Sequence, residues 1–318
     1  MMMQTTPKIW NGKPYHTLDY ELKKIYGEKI YKIALDAGMT CPNRDGTKGT
    51  RGCIFCSEGG SGEFAGKGAT IDQQLAQGKS AFRSKKIGCR FIAYFQAFTN
   101  TYAPLKRLET LYRCALSEPS VVGISIATRP DCLDDSIICL LDTLKKEYSD
   151  KFIWIELGLQ TSSDATARFI RRGYPLSVFE EAVQTLQHIA IPVIAHVILG
   201  LPQEDKAAML ATCRYLDRLH IDGIKLQLLH VLKHTDLAAL YQNGTFTVLD
   251  FAEYIDIVIS CLEVLSPDIV IHRVTGDGAR SQLIAPLWSL DKKRVLNTLH
   301  HEMKRRGTFQ SAAWEKIK

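Results

Sequence analysis

Three cysteines lie in one glycine-rich loop, "CPNRDGTKGTRGCIFC", at residues 41–56. Cys53 and Cys56 form a CxxC pair, and eleven residues separate Cys41 from Cys53. Three thiolates leave one position open on a metal centre that prefers four ligands. A structural zinc site normally closes with a fourth Cys or His, whereas a [4Fe–4S] cluster held by three cysteines keeps one iron available. The loop therefore indicates an iron–sulfur cluster; a zinc half-site, a redox pair and coincidence are the alternatives.

The six remaining cysteines fall mostly in apolar helical or strand patterns, so they are predicted to be small core residues. They are Cys89, Cys114, Cys132, Cys139, Cys213 and Cys261. An odd total of nine dispersed cysteines predicts a reducing compartment rather than a disulfide framework, and hence a cytoplasmic location.

Composition predicts an ordinary globular protein. The chain has 318 residues, 46% of them hydrophobic and 23% charged, enough for one large α/β domain with extensions. No apolar run approaches the roughly 20 residues of a membrane span, and the amino terminus lacks a signal-peptide core, so we expect no membrane partner. The net charge of +6 is compatible with a phosphate-bearing partner but does not require one.

Short β-rich runs alternate with amphipathic helical patterns, which predicts repeated βα units and a parallel sheet. The predicted strands lie in 29–37, 90–98, 121–128, 152–159, 192–200 and 223–231. The predicted helices lie in 70–86, 105–118, 133–148, 177–189 and 205–220. Six units are fewer than the eight of a closed TIM barrel. We therefore expect a partial (βα)6 TIM-type barrel over 29–244, with extensions at 1–28 and 245–318.

Polar residues at the predicted strand ends are expected to converge, because chemistry in such folds sits on the loops after the strands. The cysteine loop follows the first strand. The later strand ends carry Gln96, Thr99, Asn100, Thr128, Arg129, Asp131, Gln160, Gln203, Glu204, His230 and Lys233.

Several motifs resemble radical S-adenosylmethionine (radical SAM) enzymes of the YhcC/YtqA type, which are related to the Elongator catalytic subunit. Besides the cysteine loop, they are "TRPD" (128–131), "ELGLQTS" (156–162), "HVILGLPQE" (196–204), "HRVTGDG" (272–278) and "APLW" (285–288). The spacing departs from the common CxxxCxxC pattern, but a long interval before the CxxC is typical of this family.

The resemblance implies that Cys41, Cys53 and Cys56 hold a [4Fe–4S] cluster whose fourth iron binds SAM. One electron, from a low-potential donor such as flavodoxin or ferredoxin, would cleave SAM and give a 5′-deoxyadenosyl radical that abstracts a substrate hydrogen. The cofactor supplies this chemistry, and the protein orients it and excludes water.

The resemblance also implies a set of contacts to SAM. Arg172 matches an arginine that reaches the SAM carboxylate, and Gln160 matches a glutamine beside SAM. Phe55 is a candidate for packing near adenine, with plain loop packing as the alternative. The remaining candidates are Gln96 or Thr99 in place of a GGE-like motif, then Ser125, Glu156 and His196. Glu156 and His196 could equally be satisfied buried polar residues.

For the substrate, the resemblance implies tRNA, specifically conversion of the carboxymethylaminomethyl side chain at C5 of a wobble uridine toward aminomethyl. Arg129, Lys225 or Arg273 could bind that carboxylate. Cations crowd late in the chain, at 292–294 and 304–306, as a phosphate-binding face would require, although a solvated helix face explains many such runs. A radical SAM enzyme acting on a small metabolite or peptide, and a non-catalytic metal-binding protein, remain alternatives.

Overall fold

The computed structural model describes residues 9–60, 65–66, 70–83, 90–276 and 278–314. The described chain divides into two compact units. The cysteine unit comprises Leu22–Gly158 and Arg171–Ile194, and the C-terminal unit comprises Met1–Glu21, Leu159–Ile170 and Ala195–Lys318. Of the cysteines predicted to be core residues, Cys213 and Cys261 are buried, but Cys139 is exposed and Cys114 and Cys132 are only half-buried, so for these three the prediction is wrong. Cys89 lies outside the described residues, so the prediction for it is untested. The domain boundaries expected from the sequence likewise remain predictions.

Helices and strands alternate along most of the chain. In order they are α1 Leu18–Tyr26, β1 Tyr31–Leu35, α2 Ile71–Arg83, β2 Phe91–Phe95, α3 Leu105–Ser117, β3 Val121–Thr128, α4 Asp135–Glu147, β4 Phe152–Gln160, α5 Asp164–Phe169, α6 Leu176–His188 and β5 Val193–Leu199. They continue with α7 Lys206–Arg218, β6 Gly223–Leu228, β7 Val231–Leu232, α8 Asp236–Gln242, α9 Phe251–Val264, β8 Val270–Arg273, β9 Leu283–Ala285 and α10 Lys292–Arg306.

Seven strands form one sheet in the order β1-β2-β3-β4-β5-β6-β8, and β7 pairs with β9 in a separate antiparallel ribbon. Every residue of β3 is buried, which is typical of a parallel strand covered on both faces. Strand order follows chain order, as right-handed βα crossovers produce. The predicted α/β fold of the partial TIM-barrel type is confirmed.

The sheet has one strand more than the six we expected. The extra strand, β8, lies within the segment predicted to be an extension and pairs in parallel with β6. It has only four residues, "VIHR", without a periodicity long enough to predict a strand.

Side-chain caps fix where several helices begin. Asp134, Asp205 and Asp250 accept hydrogen bonds from backbone amides at the starts of α4, α7 and α9, and Asp250 forms a capping box with Glu253. Among the described helices, none combines the length and apolar character needed to cross a bilayer.

Candidate functional site

The cysteine loop leaves the end of β1 and folds back on itself through backbone hydrogen bonds. The Arg44 amide donates to the Cys41 carbonyl at 2.8 Å, and the Gly52 amide donates to the Asn43 carbonyl at 2.7 Å. Gly52 has a φ of +73°, and a Cβ there would lie 3.1 Å from the Arg44 side chain, so this turn requires glycine. The loop brings Cys53 and Cys56 next to each other, with the Cys56 amide donating to the Cys53 carbonyl at 3.0 Å.

Each of the three thiols has a nitrogen donor beside it. Arg129 Nη1 lies 3.9 Å from Cys41 Sγ, and Asn43 Nδ2 lies 3.6 Å from Cys53 Sγ. Arg44 interacts with the Cys56 thiol and also donates to the Cys56 carbonyl at 3.2 Å. Donors aimed at sulfur stabilise a thiolate, the form in which cysteine binds metals.

The Cys53 and Cys56 thiols share a hydrogen bond that affects both. It raises the pKa of Cys53 and lowers the pKa of Cys56, while burial opposes ionisation of each thiol. The positive charge of Arg44 lowers the pKa of Cys56 further, and the nearby Cys41 raises it. The three cysteines are thus electrostatically linked, although no group of three or more His, Cys, Asp or Glu side chains in the described ranges forms a ready-made metal site.

A buried ion pair adjoins Cys41. Arg129 holds Asp131 with two hydrogen bonds, from Nε to Oδ1 at 2.9 Å and from Nη2 to Oδ2 at 2.8 Å. Lys48 Nζ also donates to Asp131 Oδ2, at 2.5 Å. Burial opposes both charges, but the pairing still lowers the pKa of Asp131 and raises that of Arg129.

Arg172, the predicted SAM-carboxylate residue, is only 2% exposed. Its Nε donates to the Tyr174 carbonyl at 3.1 Å, and its guanidinium lies 4.8 Å from the centre of the Tyr174 ring. The Arg129 guanidinium lies 4.9 Å from the centre of the same ring. Asn43 Nδ2 donates to the Arg172 carbonyl at 3.2 Å. The backbone of Arg172, which lies between α5 and α6, is therefore hydrogen-bonded to the cysteine loop.

Ser125 and Glu156, two further predicted SAM contacts, belong to a polar cluster on β1, β3 and β4. Glu156 Oε1 accepts from Ser125 Oγ at 2.7 Å and from Lys32 Nζ at 2.9 Å. The Lys32 ammonium lies 4.9 Å from the centre of the Tyr94 ring and 5.5 Å from that of Trp154. This arrangement supports the alternative role of Glu156 as a satisfied buried acid.

The end of β2 carries the residues predicted to replace a GGE-like motif. The Gln96 amide donates to the Leu35 carbonyl at 3.2 Å, and the Thr99 amide donates to the Thr40 carbonyl at 3.1 Å, next to Cys41. Asn100 is fully buried, and its Oδ1 has no hydrogen-bond partner among the residues that the structure describes. Phe55, between the paired cysteines, is half-buried.

Other predicted site residues belong to the C-terminal unit. Gln160 ends β4 with a φ of +67°. His196 Nδ1 lies 3.4 Å from Gln227 Nε2. Lys225 on β6 is paired in register with Arg273 on β8, and Lys225 is 4% exposed. These two cations, proposed from sequence for the substrate carboxylate, are thus neighbours in the sheet.

The basic residues of α10 differ in how far nearby carboxylates neutralise their charges. Lys293 and Arg294 are exposed in the first turn of α10, and Arg294 stacks on the Phe251 ring at 4.2 Å. Near the end of the helix, Arg305 pairs with Glu302, and Arg306 Nη1 lies 2.6 Å from Asp256 Oδ1. The first turn is therefore the better candidate for binding an anionic partner.

Sequence reasoning missed several residues that surround the predicted ones. Asn43 and Arg44 lie within the quoted cysteine loop, and Tyr174 lies just after Arg172, so proximity in sequence was the available signal. Lys32 gave no such signal, because a lysine in a short strand pattern predicts a solvent-facing position.

A model of the radical SAM superfamily matches residues 45–216, and a model of the radical SAM C-terminal domain matches residues 221–305. Cys41 precedes the first match by four residues.

Similar chains include YtqA of Bacillus subtilis, 40% identical over 99% of this chain and 98% of that protein, and YhcC of Escherichia coli, 33% identical over 92% and 93%. A solved structure of Methanocaldococcus infernus Elp3 superimposes with a TM-score of 0.67 at 14% identity. That match covers 88% of this chain and 64% of the archaeal one, which is longer.

Proposed function

Because this chain belongs to the radical SAM superfamily, whose enzymes use SAM and a [4Fe–4S] cluster, we propose that Cys41, Cys53 and Cys56 hold that cluster and that the substrate is tRNA. The proposed reaction converts the carboxymethylaminomethyl side chain of a wobble uridine toward aminomethyl. The observation that carries the cluster assignment is the set of three thiols on one loop, each with its own nitrogen donor.

The residues fit the cluster and SAM chemically. Thiolate sulfur is the ligand that iron–sulfur clusters require, and each of the three cysteine sulfurs has a nitrogen donor beside it. When bound, the cluster and SAM together supply a 5′-deoxyadenosyl radical, and a donor such as flavodoxin or ferredoxin, as radical SAM enzymes use, supplies the electron. The protein's part is to bind and orient the cofactors and to exclude water.

Two features of the cysteine unit support a SAM pocket next to the loop. Arg172 is tied to the loop through Asn43, which favours its proposed contact with the SAM carboxylate. The buried Oδ1 of Asn100 offers an acceptor for an ammonium group at the strand end where Gln96 and Thr99 were the candidates. Leaving a buried acceptor unsatisfied costs about 1–3 kcal/mol, so a ligand donor there would be favourable.

The tRNA proposal rests on the resemblance to Elongator and on charge. Lys293 and Arg294 are exposed together in the first turn of α10, where phosphates could bind. Lys225 and Arg273 are neighbouring cations suited to the substrate carboxylate.

A radical SAM reaction on a small metabolite or peptide is the second candidate. Glu302 pairs with Arg305, and Asp256 pairs with Arg306. These ion pairs leave a smaller basic surface than the sequence predicts, which favours the second candidate. A small substrate carrying a carboxylate needs the Lys225 and Arg273 pair but no extended cationic surface.

Nucleoside analysis of tRNA separates the two candidates. In a deletion strain, the tRNA proposal predicts that carboxymethylaminomethyl uridine accumulates and aminomethyl uridine falls. Complementation with the wild-type gene should restore both, and complementation with the Cys53→Ala gene should not. An unchanged nucleoside profile, together with SAM cleavage by the purified protein, would exclude this tRNA reaction and favour the small substrate.

A further inference from the structure

We propose that Arg129 acts on the cluster rather than on the substrate: by donating to Cys41 Sγ it raises the reduction potential of the [4Fe–4S] cluster. This inference rests on the proposed function, since it takes Cys41 to be a cluster ligand. It gives Arg129 a positioning and electrostatic role in place of the substrate contact considered from the sequence.

The direction of the Arg129 side chain is fixed by Asp131. Two of its nitrogens, Nε and Nη2, donate to the two oxygens of that carboxylate at 2.9 and 2.8 Å. This bidentate geometry leaves Nη1, which lies 3.9 Å from Cys41 Sγ. A substrate carboxylate would have to displace Asp131 to gain the same fork.

Burial strengthens the effect of this contact. Arg129 is 8% exposed, and its guanidinium stacks on the Tyr174 ring, which Arg172 also contacts. Lys48 and Arg129 both pair with the carboxylate of Asp131, so two positive charges meet one negative charge in this ion pair. Because the Arg129 guanidinium is buried, its field at the sulfur is only weakly screened.

The physical consequence follows from the charge of the cluster. Reduction adds one negative charge, which a hydrogen bond to a ligand sulfur and a nearby cation both stabilise. The Asn43 contact at Cys53 supplies a neutral donor, and its Nδ2 also donates to the Arg171 carbonyl at 2.8 Å. Arg129 adds a full positive charge at Cys41.

The test is a potentiometric titration of the reconstituted cluster, followed by electron paramagnetic resonance in the absence of SAM. At the midpoint potential of the wild type, Arg129→Leu should lower the ratio of reduced to oxidised cluster about tenfold, a downward shift of about 59 mV for a one-electron couple. Arg129→Gln keeps an N–H donor without the charge and should lower the ratio roughly threefold. Arg113→Leu is the control, because Arg113 also pairs with carboxylates, Glu109 and Glu147, but lies on the outer helix α3; it should leave the ratio unchanged.

The iron and sulfide content of Cys41→Ala, measured in parallel, tests the proposed cluster site separately from the proposed role of Arg129. If Cys41→Ala retains a complete cluster, the proposed cluster site is wrong and this inference falls with it. If Cys41→Ala loses the cluster while both Arg129 variants keep the wild-type potential, the Arg129 role alone is wrong. Failure of both Arg129 variants to load a cluster that Arg113→Leu loads would also overturn it, since Arg129 would then serve assembly.

Discussion

The side chains around the cysteine loop contact one another through ring stacking and hydrogen bonds. Arg129, Arg172 and Tyr174 form one buried stack, and Asn43 joins the loop to the backbone of Arg172. A substitution in this group is therefore expected to affect cofactor binding more than a substitution of an exposed residue.

Arg172 offers the clearest test of the SAM contacts. Arg172→Lys keeps the charge but cannot donate a fork to a carboxylate, and it removes the hydrogen bond to the Tyr174 carbonyl. Loss of a charged hydrogen bond costs about 1.5–3 kcal/mol, so SAM affinity should fall roughly tenfold to a hundredfold while the iron content is unchanged. Equilibrium dialysis with the cluster-loaded protein measures this.

Arg168→Ala is the matched control, because Arg168 is exposed on α5 and should bind SAM as the wild type does. Normal SAM affinity in a folded, cluster-loaded Arg172→Lys protein would remove Arg172 from the pocket.

Strands β3 and β4 pair Ser125 with Trp154 and Ala127 with Glu156, which brings Ser125 within hydrogen-bonding distance of Glu156. A glycine makes the close approach of the two strands possible. A Cβ added at Gly123 would lie 2.5 Å from the Phe152 carbonyl oxygen, a backbone atom that cannot turn aside. Gly123→Ala should therefore lower the free energy of unfolding by about 1–3 kcal/mol, the usual cost of overpacking. Chemical denaturation checks this, and an unchanged free energy of unfolding would show that the strands tolerate the extra methyl group.

Much of the sheet could be predicted from the sequence because its strands are long apolar runs. The predicted strand 121–128 coincides with β3, and the predicted helix 105–118 extends one residue beyond α3. Strand β8 and the two short strands β7 and β9 were missed, since runs of two to four residues carry no measurable periodicity.

In the candidate site, the cysteine loop could be predicted from the sequence, but the contact that reaches it from a distant segment could not. Cysteine spacing is a local signal and identified the loop directly. Two partners of its sulfurs, Asn43 and Arg44, lie in the loop itself, whereas Arg129 comes from a distant segment and its contact depends on how the strands pair. The two hydrogen bonds from Arg129 to Asp131 and the stacking of Arg129 on Tyr174 could therefore be found only in three dimensions.

Along α10, the basic residues differ in how far neighbouring carboxylates neutralise their charges. Replacing Lys292, Lys293 and Arg294 together by Gln should weaken tRNA binding and flatten the slope of log affinity against log salt by about two to three units, since each phosphate contact contributes about 0.9. Replacing Arg305 and Arg306 by Gln should flatten the slope by less than about one unit, because Glu302 and Asp256 already pair with them. Equal slopes in both variants and the wild type would remove α10 from the RNA-binding surface.

The central claim, that three cysteines of one loop hold a cluster that cleaves SAM, is tested most directly at Cys41, the proposed ligand that lies before the matched family segment. The measurement is 5′-deoxyadenosine formed by anaerobically reconstituted Cys41→Ala protein in the presence of dithionite, with iron content determined on the same sample. Cys139→Ala is the control, because Cys139 is exposed on α4. We expect Cys41→Ala to lose the cluster and form no 5′-deoxyadenosine, and Cys139→Ala to match the wild type. A Cys41→Ala protein that retains a [4Fe–4S] cluster and cleaves SAM at the wild-type rate would contradict this account.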